Sequence, residues 1–230
     1  MRLAAVLLAA CCASPLGAEI VSARYSQPTT RYDHGVLGDA VEYGALELTL
    51  RGGVGRRIVL PDTRVFEDLA PRLVDLDLDG APEIIAVETD LSRGARISVY
   101  GPDGLIAATP FIGAPHRWLA PVGAADLDGD GRIEIAYVDR PHLLRLLRIW
   151  RFEDGRLTEI AQGEGLTNHR IGDDFISGGL RDCGDGPEML LTGPDWRAVI
   201  AVRLEDGRVV RGALDLPATP RGFAAARTCR

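Results

Sequence analysis

The sequence predicts an all-β fold, and three observations carry that reading. A unit of about fifty residues recurs along the chain, the length at which repeat arrays build one supersecondary unit per copy. Within each unit, short apolar or alternating runs read as strands. The breaks between them fall at matching places, Asp103-Gly104, Asp154-Gly155 and Asp206-Gly207, and Asp-Gly between strand patterns is a strong hairpin signal. No long stretch combines a helical period with caps; Leu143–Trp150 could pass for a turn or two of helix, but it occupies a strand position in the repeat.

The register of the repeat is set by acidic loops. Residues 75–84 read DLDLDGAPEI and residues 126–135 read DLDGDGRIEI, an offset of 51, with a weaker copy, DCGDGPEM, at 182–189. The segments ahead of the loops recur as well: Arg64, Arg117 and Arg170 are spaced by 53 and 53, and Arg221 follows 51 later. Strands are expected after each loop. They are Glu83–Thr89, Arg96–Tyr100 and Leu105–Thr109, then Glu134–Asp139, Leu144–Phe152 and Leu157–Ala161, then Glu188–Thr192, Ala198–Leu204 and Val209–Ala213.

About four short antiparallel strands per unit is the blade pattern of a β-propeller. The chain after residue 18 holds about four such blades, over units 31–62, 63–115, 116–168 and 169–218. The first unit looks one strand short, and 219–230 is one strand long with no blade after it. The expectation is therefore a single domain over 19–230 in which the C-terminal segment completes the first blade and closes the ring, removing open sheet edges.

The first 18 residues read as a secretory signal: Arg2, an apolar run from Leu3 to Cys12, and small residues before Glu19. Ten apolar residues are too few to span a bilayer. Leu8-Ala9-Ala10-Cys11 also allows a lipoprotein signal with the lipid on Cys11, ranked second because so little precedes it. Periplasmic or secreted location follows, with lipid anchoring as the alternative. Loss of the signal leaves Cys183 and Cys229, and a pair of cysteines in an oxidising compartment implies a disulfide, here one that would pin the closing strand. Asp and Glu outnumber Arg by 33 to 26 and Lys is absent, a net charge of −7 that argues against a nucleic-acid binder.

The acidic loops point to a metal. In Asp126-Leu127-Asp128-Gly129-Asp130-Gly131-Arg132-Ile133-Glu134 the carboxylates stand at positions 1, 3, 5 and 9, and the Arg132 carbonyl is available at position 7. The first loop offers Asp75, Asp77, Asp79, the Ala81 carbonyl and Glu83. Calcium is a hard cation that takes 6–8 oxygens, and carboxylates this crowded repel one another unless a cation lies among them. The alternative is an Asp-rich turn whose side chains cap backbone amides. An EF-hand does not fit: position 12 is Tyr137 and the flanks are strands. Affinity on the order of 10⁻⁴–10⁻³ M, as in extracellular modules, makes the metal structural.

The pattern D-x-D-x-D-G-x-x-[DE]-[IL] leading into a short apolar strand resembles the FG-GAP (integrin-α-like, VCBS) repeat. The resemblance covers about 71–110 and 117–162 and weakens over 168–215, where Arg181 and Cys183 replace the first two Asp residues. Phe111-Ile112-Gly113-Ala114-Pro115 is reminiscent of the phenylalanine-glycine half of the signature. The resemblance implies a propeller holding calcium in the loop between the first two strands of a blade. Such propellers commonly have seven blades, so room for about four implies a smaller ring or an incomplete one that dimerises.

Other residues carry less. His34, His116 and His169 fall in inter-blade connectors, where with Arg31, Arg117 and Arg170 they could gather as a zinc or anion site; packing or capping is the commoner role there. His142 stands alone in a loop, and Trp118, Trp150 and Trp196 read as core. There is no GxSxG, HExxH or phosphate-binding Gly loop. The expected function is binding, a rigid disc presenting loops to a protein or glycan partner. The rivals are a carbohydrate-active lyase or hydrolase on the same scaffold and a lipoprotein accessory subunit.

Overall fold

The computed structural model describes residues 19–229. The expected signal peptide over 1–18, and with it the alternative lipid site at Cys11, lies outside the described residues.

Among the described residues, sixteen strands and one short helix follow one another. The first unit is a three-stranded meander, β1 (Ile20–Thr29), β2 (Glu42–Leu50) and β3 (Gly55–Val59), with β2 in the middle. In the second unit β6 (Glu83–Asp90) pairs with β7 (Gly94–Gly101), which pairs with β8 (Gly104–Ala108). The inner edge of this unit is broken in two: β4 (Arg64–Phe66) pairs with the far half of β6, and β5 (Arg72–Val74) with the near half. A single pairing, Tyr43 opposite Phe66, joins β2 to β4 and merges the first two units into one eight-stranded sheet. The third unit is β9 (Leu119–Ala125), β10 (Ile133–Asp139), β11 (Leu146–Glu153) and β12 (Arg156–Gly163). The fourth is β13 (Gly179–Asp182), β14 (Pro187–Thr192), β15 (Ala198–Glu205) and β16 (Arg208–Pro217). Each of these two is a four-stranded antiparallel meander.

The Asp-Gly hairpins are where the sequence put them. In the last two, Asp154 and Gly155, then Asp206 and Gly207, all have positive φ, the backbone of a type I′ turn, whose twist matches that of its strands.

The sheets pack face to face in chain order. Ile85, Val87, Ile97 and Val99 of the second unit meet Leu119, Ile135, Tyr137 and Phe152 of the third. On its other face the third unit presents Ala136, Val138, Leu147 and Ile149 to Met189, Leu191, Val202 and Leu204 of the fourth. With both faces covered, β6 and β10 are buried at every position. That is why they read as near-continuous apolar runs and not as strict alternation.

The C-terminal segment departs from the expectation. Pro220–Arg227 is a helix, α1, and not a strand latch. Thr219 caps it by accepting a hydrogen bond from the Gly222 amide, and Pro220 occupies the first turn, where its missing N–H leaves no helical bond unmade. Phe223 and Ala226 pack on Leu190, Val199 and Ala201 of its own unit. No strand of the fourth unit pairs with the first, so the sheets do not close into a ring. The strand that the first unit needed comes from upstream, as β1. Cys183 and Cys229 do form a disulfide across 46 positions. It fastens the end of α1 to the β13–β14 loop, a cross-link worth about 2–4 kcal/mol through the unfolded chain.

Candidate functional site

Both acidic loops join the first and second strands of a unit, 75–82 between β5 and β6 and 126–132 between β9 and β10. Each is anchored by a buried leucine, Leu76 or Leu127. That residue's amide donates to the last acid of the loop, Leu76 N to Glu83 Oε2 at 2.9 Å and Leu127 N to Glu134 Oε2 at 2.8 Å. The first Asp gathers the turn. Asp75 accepts from the amides of Asp79 and Gly80, and Asp126 from those of Gly129, Asp130 and Gly131. Gly80 and Gly131 sit at φ of 92° and 85°, the left-handed region that a side chain would strain.

In this geometry Asp75, Asp77 and Glu83 each bring an oxygen within 4.8 Å of the others, and Asp126, Asp128 and Glu134 do the same. Asp79 and Asp130 lie outside these groups: Asp79 accepts from the Ala81 amide, and Asp130 from the Arg132 amide. In the third loop Asp182 accepts from the Gly184 amide, and no comparable group forms there among the described residues.

A family model described as an FG-GAP-like repeat matches residues 75–137, a span that begins at Asp75 and covers both loops. The chain carries an FG-GAP-like repeat. A search of curated proteins found no match.

Within the FG-GAP-like repeat the two loops differ in their surroundings. Burial pushes the Glu83 carboxyl up to about 7, and the nearby charges of Asp77, Asp79 and Asp75 add to this against the pull of the Leu76 amide. Asp77 is raised too, by burial and then by Asp79. No arginine reaches Asp75, Asp77 or Glu83 among the described residues. An all-oxygen set of this kind, crowded by its own charges, fits a hard divalent cation. In the second loop Arg151 of β11 lies against Asp128, Asp130 and Glu134 at 2.7, 2.9 and 2.8 Å. Sequence reasoning missed Arg151 because its place opposite Glu134 depends on the β10–β11 register, which a six-residue connection does not disclose.

The histidines also gather. His34, His116 and His142, with Arg117, Trp118 and Arg140, line a cavity of about 270 Å³ at the connectors between the units. Each ring has one nitrogen held. His34 Nδ1 is 2.6 Å from Glu67 Oε1, and His116 Nε2 is 2.7 Å from Asp33 Oδ1. His142 is not a lone loop residue: its Nε2 is 2.8 Å from His169 Nδ1, and His169 Nε2 lies 3.0 Å from the Asp173 carbonyl. His169 therefore donates to that carbonyl and accepts from His142, which leaves His142 Nδ1 as an acceptor. Of the three arginines considered with the histidines, only Arg117 lines the cavity. Arg31 bonds the Arg64 carbonyl, and Arg170 lies over the Trp196 ring.

Behind His34 stands a set of buried acids. Burial pushes the Glu42 carboxyl up to about 9, and the charges of Glu67, Asp39 and Asp68 push the same way. The folded protein thus keeps a proton that the unfolded chain releases near pH 4.5, so stability from this group falls as pH rises between those two values. Glu42→Gln, which carries no charge at any pH, is expected to melt higher than the parent at pH 8 and to flatten the decline. Melting curves from pH 5 to 9 check this, and identical pH profiles would show that Glu42 ionises freely in the folded state.

Proposed function

We propose that this protein is an exported, calcium-stabilised binding module of propeller-like architecture, with a protein or glycan as its partner. The observation that carries the metal is the triad of Asp75, Asp77 and Glu83, three oxygens within 4.8 Å of one another with no arginine against them among the described residues. Asp75, Asp77 and Glu83 would hold the ion, with Asp79 and the Ala81 carbonyl from the same loop. Asp126, Asp128, Asp130, the Arg132 carbonyl and Glu134 form the corresponding oxygen set in the second loop, where Arg151 already lies against three of the carboxylates. The ion supplies charge neutralisation and no chemistry, locking the turn between two strands.

Export is supported by the Cys183–Cys229 disulfide, a bond favoured in oxidising compartments. No helix among the described residues is long and apolar enough to cross a membrane. Binding is supported by the cavity at the connectors, lined by His34, His116 and His142 with Arg117, Arg140 and Trp118. The same cavity favours the second reading, a carbohydrate-active enzyme. Glycoside hydrolysis ordinarily needs a pair of carboxylates, and the two beside this cavity, Glu67 and Asp33, are each held by a histidine of the lining.

The test of the metal is a melting curve of the chain from residue 19 onward in 10 mM calcium and in chelator. With a Kd near 10⁻⁴ M, calcium at about 100 times Kd stabilises by about 2.7 kcal/mol, or roughly 5–11 °C for a chain of this size. Equal midpoints would remove the calcium reading.

A further inference from the structure

The residue facing the last acid of each loop differs from unit to unit. The β10–β11 register sets Arg151 across from Glu134. In the fourth unit, continuing the β14–β15 ladder outward from Met189 and Val202 brings Arg203 to Glu188, with Nε 2.8 Å from Glu188 Oε1. In the second unit the β6–β7 ladder pairs Ile84 with Tyr100, so the next position outward, facing Glu83, is Gly101. Two units present a guanidinium to the loop and one presents no side chain.

Arg151 does more than flank its loop. Its three nitrogens each meet a different carboxylate, Nη2 at Asp128, Nη1 at Asp130 and Nε at the fully buried Glu134. Those acids occupy positions 3, 5 and 9 of the loop, the side chains a divalent ion would require. A calcium ion would have to lie about 2.3–2.6 Å from the same carboxylates, only a few ångströms from a permanently charged guanidinium. The two cations compete for one seat.

We propose that Arg151 is a resident cation that takes the place of calcium in loop 126–134, so that the chain binds a single calcium ion, in loop 75–83. The placement of that one ion rests on the calcium reading given above; the role of Arg151 does not. Loop 126–134 is then preformed at any calcium concentration, and loop 75–83 alone responds to the metal.

The experiment counts calcium ions bound to the chain from residue 19 onward, by calorimetric titration, in the parent, Asp77→Asn, Arg151→Ala and Gly101→Arg. An added Cβ at Gly101 would meet only the Ile106 side chain, Cδ1 at 2.9 Å and Cγ1 at 3.4 Å, which can turn aside. Expected counts are one for the parent, none for Asp77→Asn, two for Arg151→Ala and none for Gly101→Arg. Two ions in the parent, or no gain in Arg151→Ala, overturns the role of Arg151 whatever becomes of loop 75–83. No ion in the parent but one in Arg151→Ala upholds Arg151 and removes the calcium reading of loop 75–83. If Arg151→Ala does not fold in chelator, Arg151→Gln keeps the stem of the side chain and is titrated instead. A melting midpoint for Arg151→Gln that calcium raises no more than the parent's would also overturn the proposal.

Discussion

Replacing Glu88 with alanine is expected to lower stability by about 3–5 kcal/mol, the usual consequence of taking one partner out of a buried ionic cluster. Glu88 is fully buried in the middle of β6. Arg64 Nη1 reaches one of its oxygens at 3.0 Å, and Arg96 Nη2, Ser98 Oγ and Tyr100 Oη reach the other at 2.9, 2.7 and 2.8 Å. Truncation would leave the mostly buried Arg96 and two hydroxyls without their acceptor. Burial works to raise the Glu88 carboxyl, but the bonds from Arg96, Ser98 and Tyr100 outweigh it and hold it below its ordinary value. Its contribution is thus complete above the unfolded value near 4.5 and is lost as pH falls through the lower folded one. Glu88→Ala should melt roughly 6–20 °C below the parent at pH 7, and the gap should narrow in acid. A gap of the same size at pH 3 would show that the loss comes from packing and not from charge.

Phe66→Ala should be comparably damaging, about 3–5 kcal/mol for a fully buried aromatic. Phe66 stacks on Tyr25 at 5.1 Å and meets Tyr100 edge-on at 5.9 Å. It is also half of the one residue pair, with Tyr43, that continues the sheet from β2 into β4. The cavity would therefore open at the seam between the first two units. Urea unfolding should show the midpoint shift, and native-state hydrogen exchange should show β1–β3 losing protection before β9–β12. Uniform loss across all units would mean that the seam is not a local joint. Against a total stability of about 5–15 kcal/mol for a domain, either substitution would bring the protein near unfolding at physiological temperature.

Much of this architecture is legible in the sequence because its signals are local. Asp103-Gly104, Asp154-Gly155 and Asp206-Gly207 mark hairpins through backbone preferences of two residues, and the strands around them fall within a few positions of expectation. The acidic loops are legible as turns for the same reason, though only the carboxylates at positions 1, 3 and 9 come together and those at position 5, Asp79 and Asp130, do not. The C-terminal segment was misread because repeat logic outweighed a local signal. Thr219-Pro220 is a helix start, and Ala224, Ala225 and Ala226 favour a helix, but a ring one strand short invited a strand. Arg151, Glu67 and the pairing of His142 with His169 were out of reach. Each depends on cross-strand register or on connectors meeting across the fold, which no local pattern encodes. The sequence also offered loop 126–134 on the same terms as loop 75–83. Only the third strand of each unit, with Arg151 in one and Gly101 in the other, separates them.

The most direct measurement is a crystal structure of the chain grown in calcium, with anomalous differences collected. The account predicts a peak held by Asp75, Asp77 and Glu83 with oxygens at about 2.3–2.6 Å, and the Arg151 guanidinium at the corresponding place in the other loop. Water alone at the first loop, with its three carboxylates turned away from one another, would contradict it.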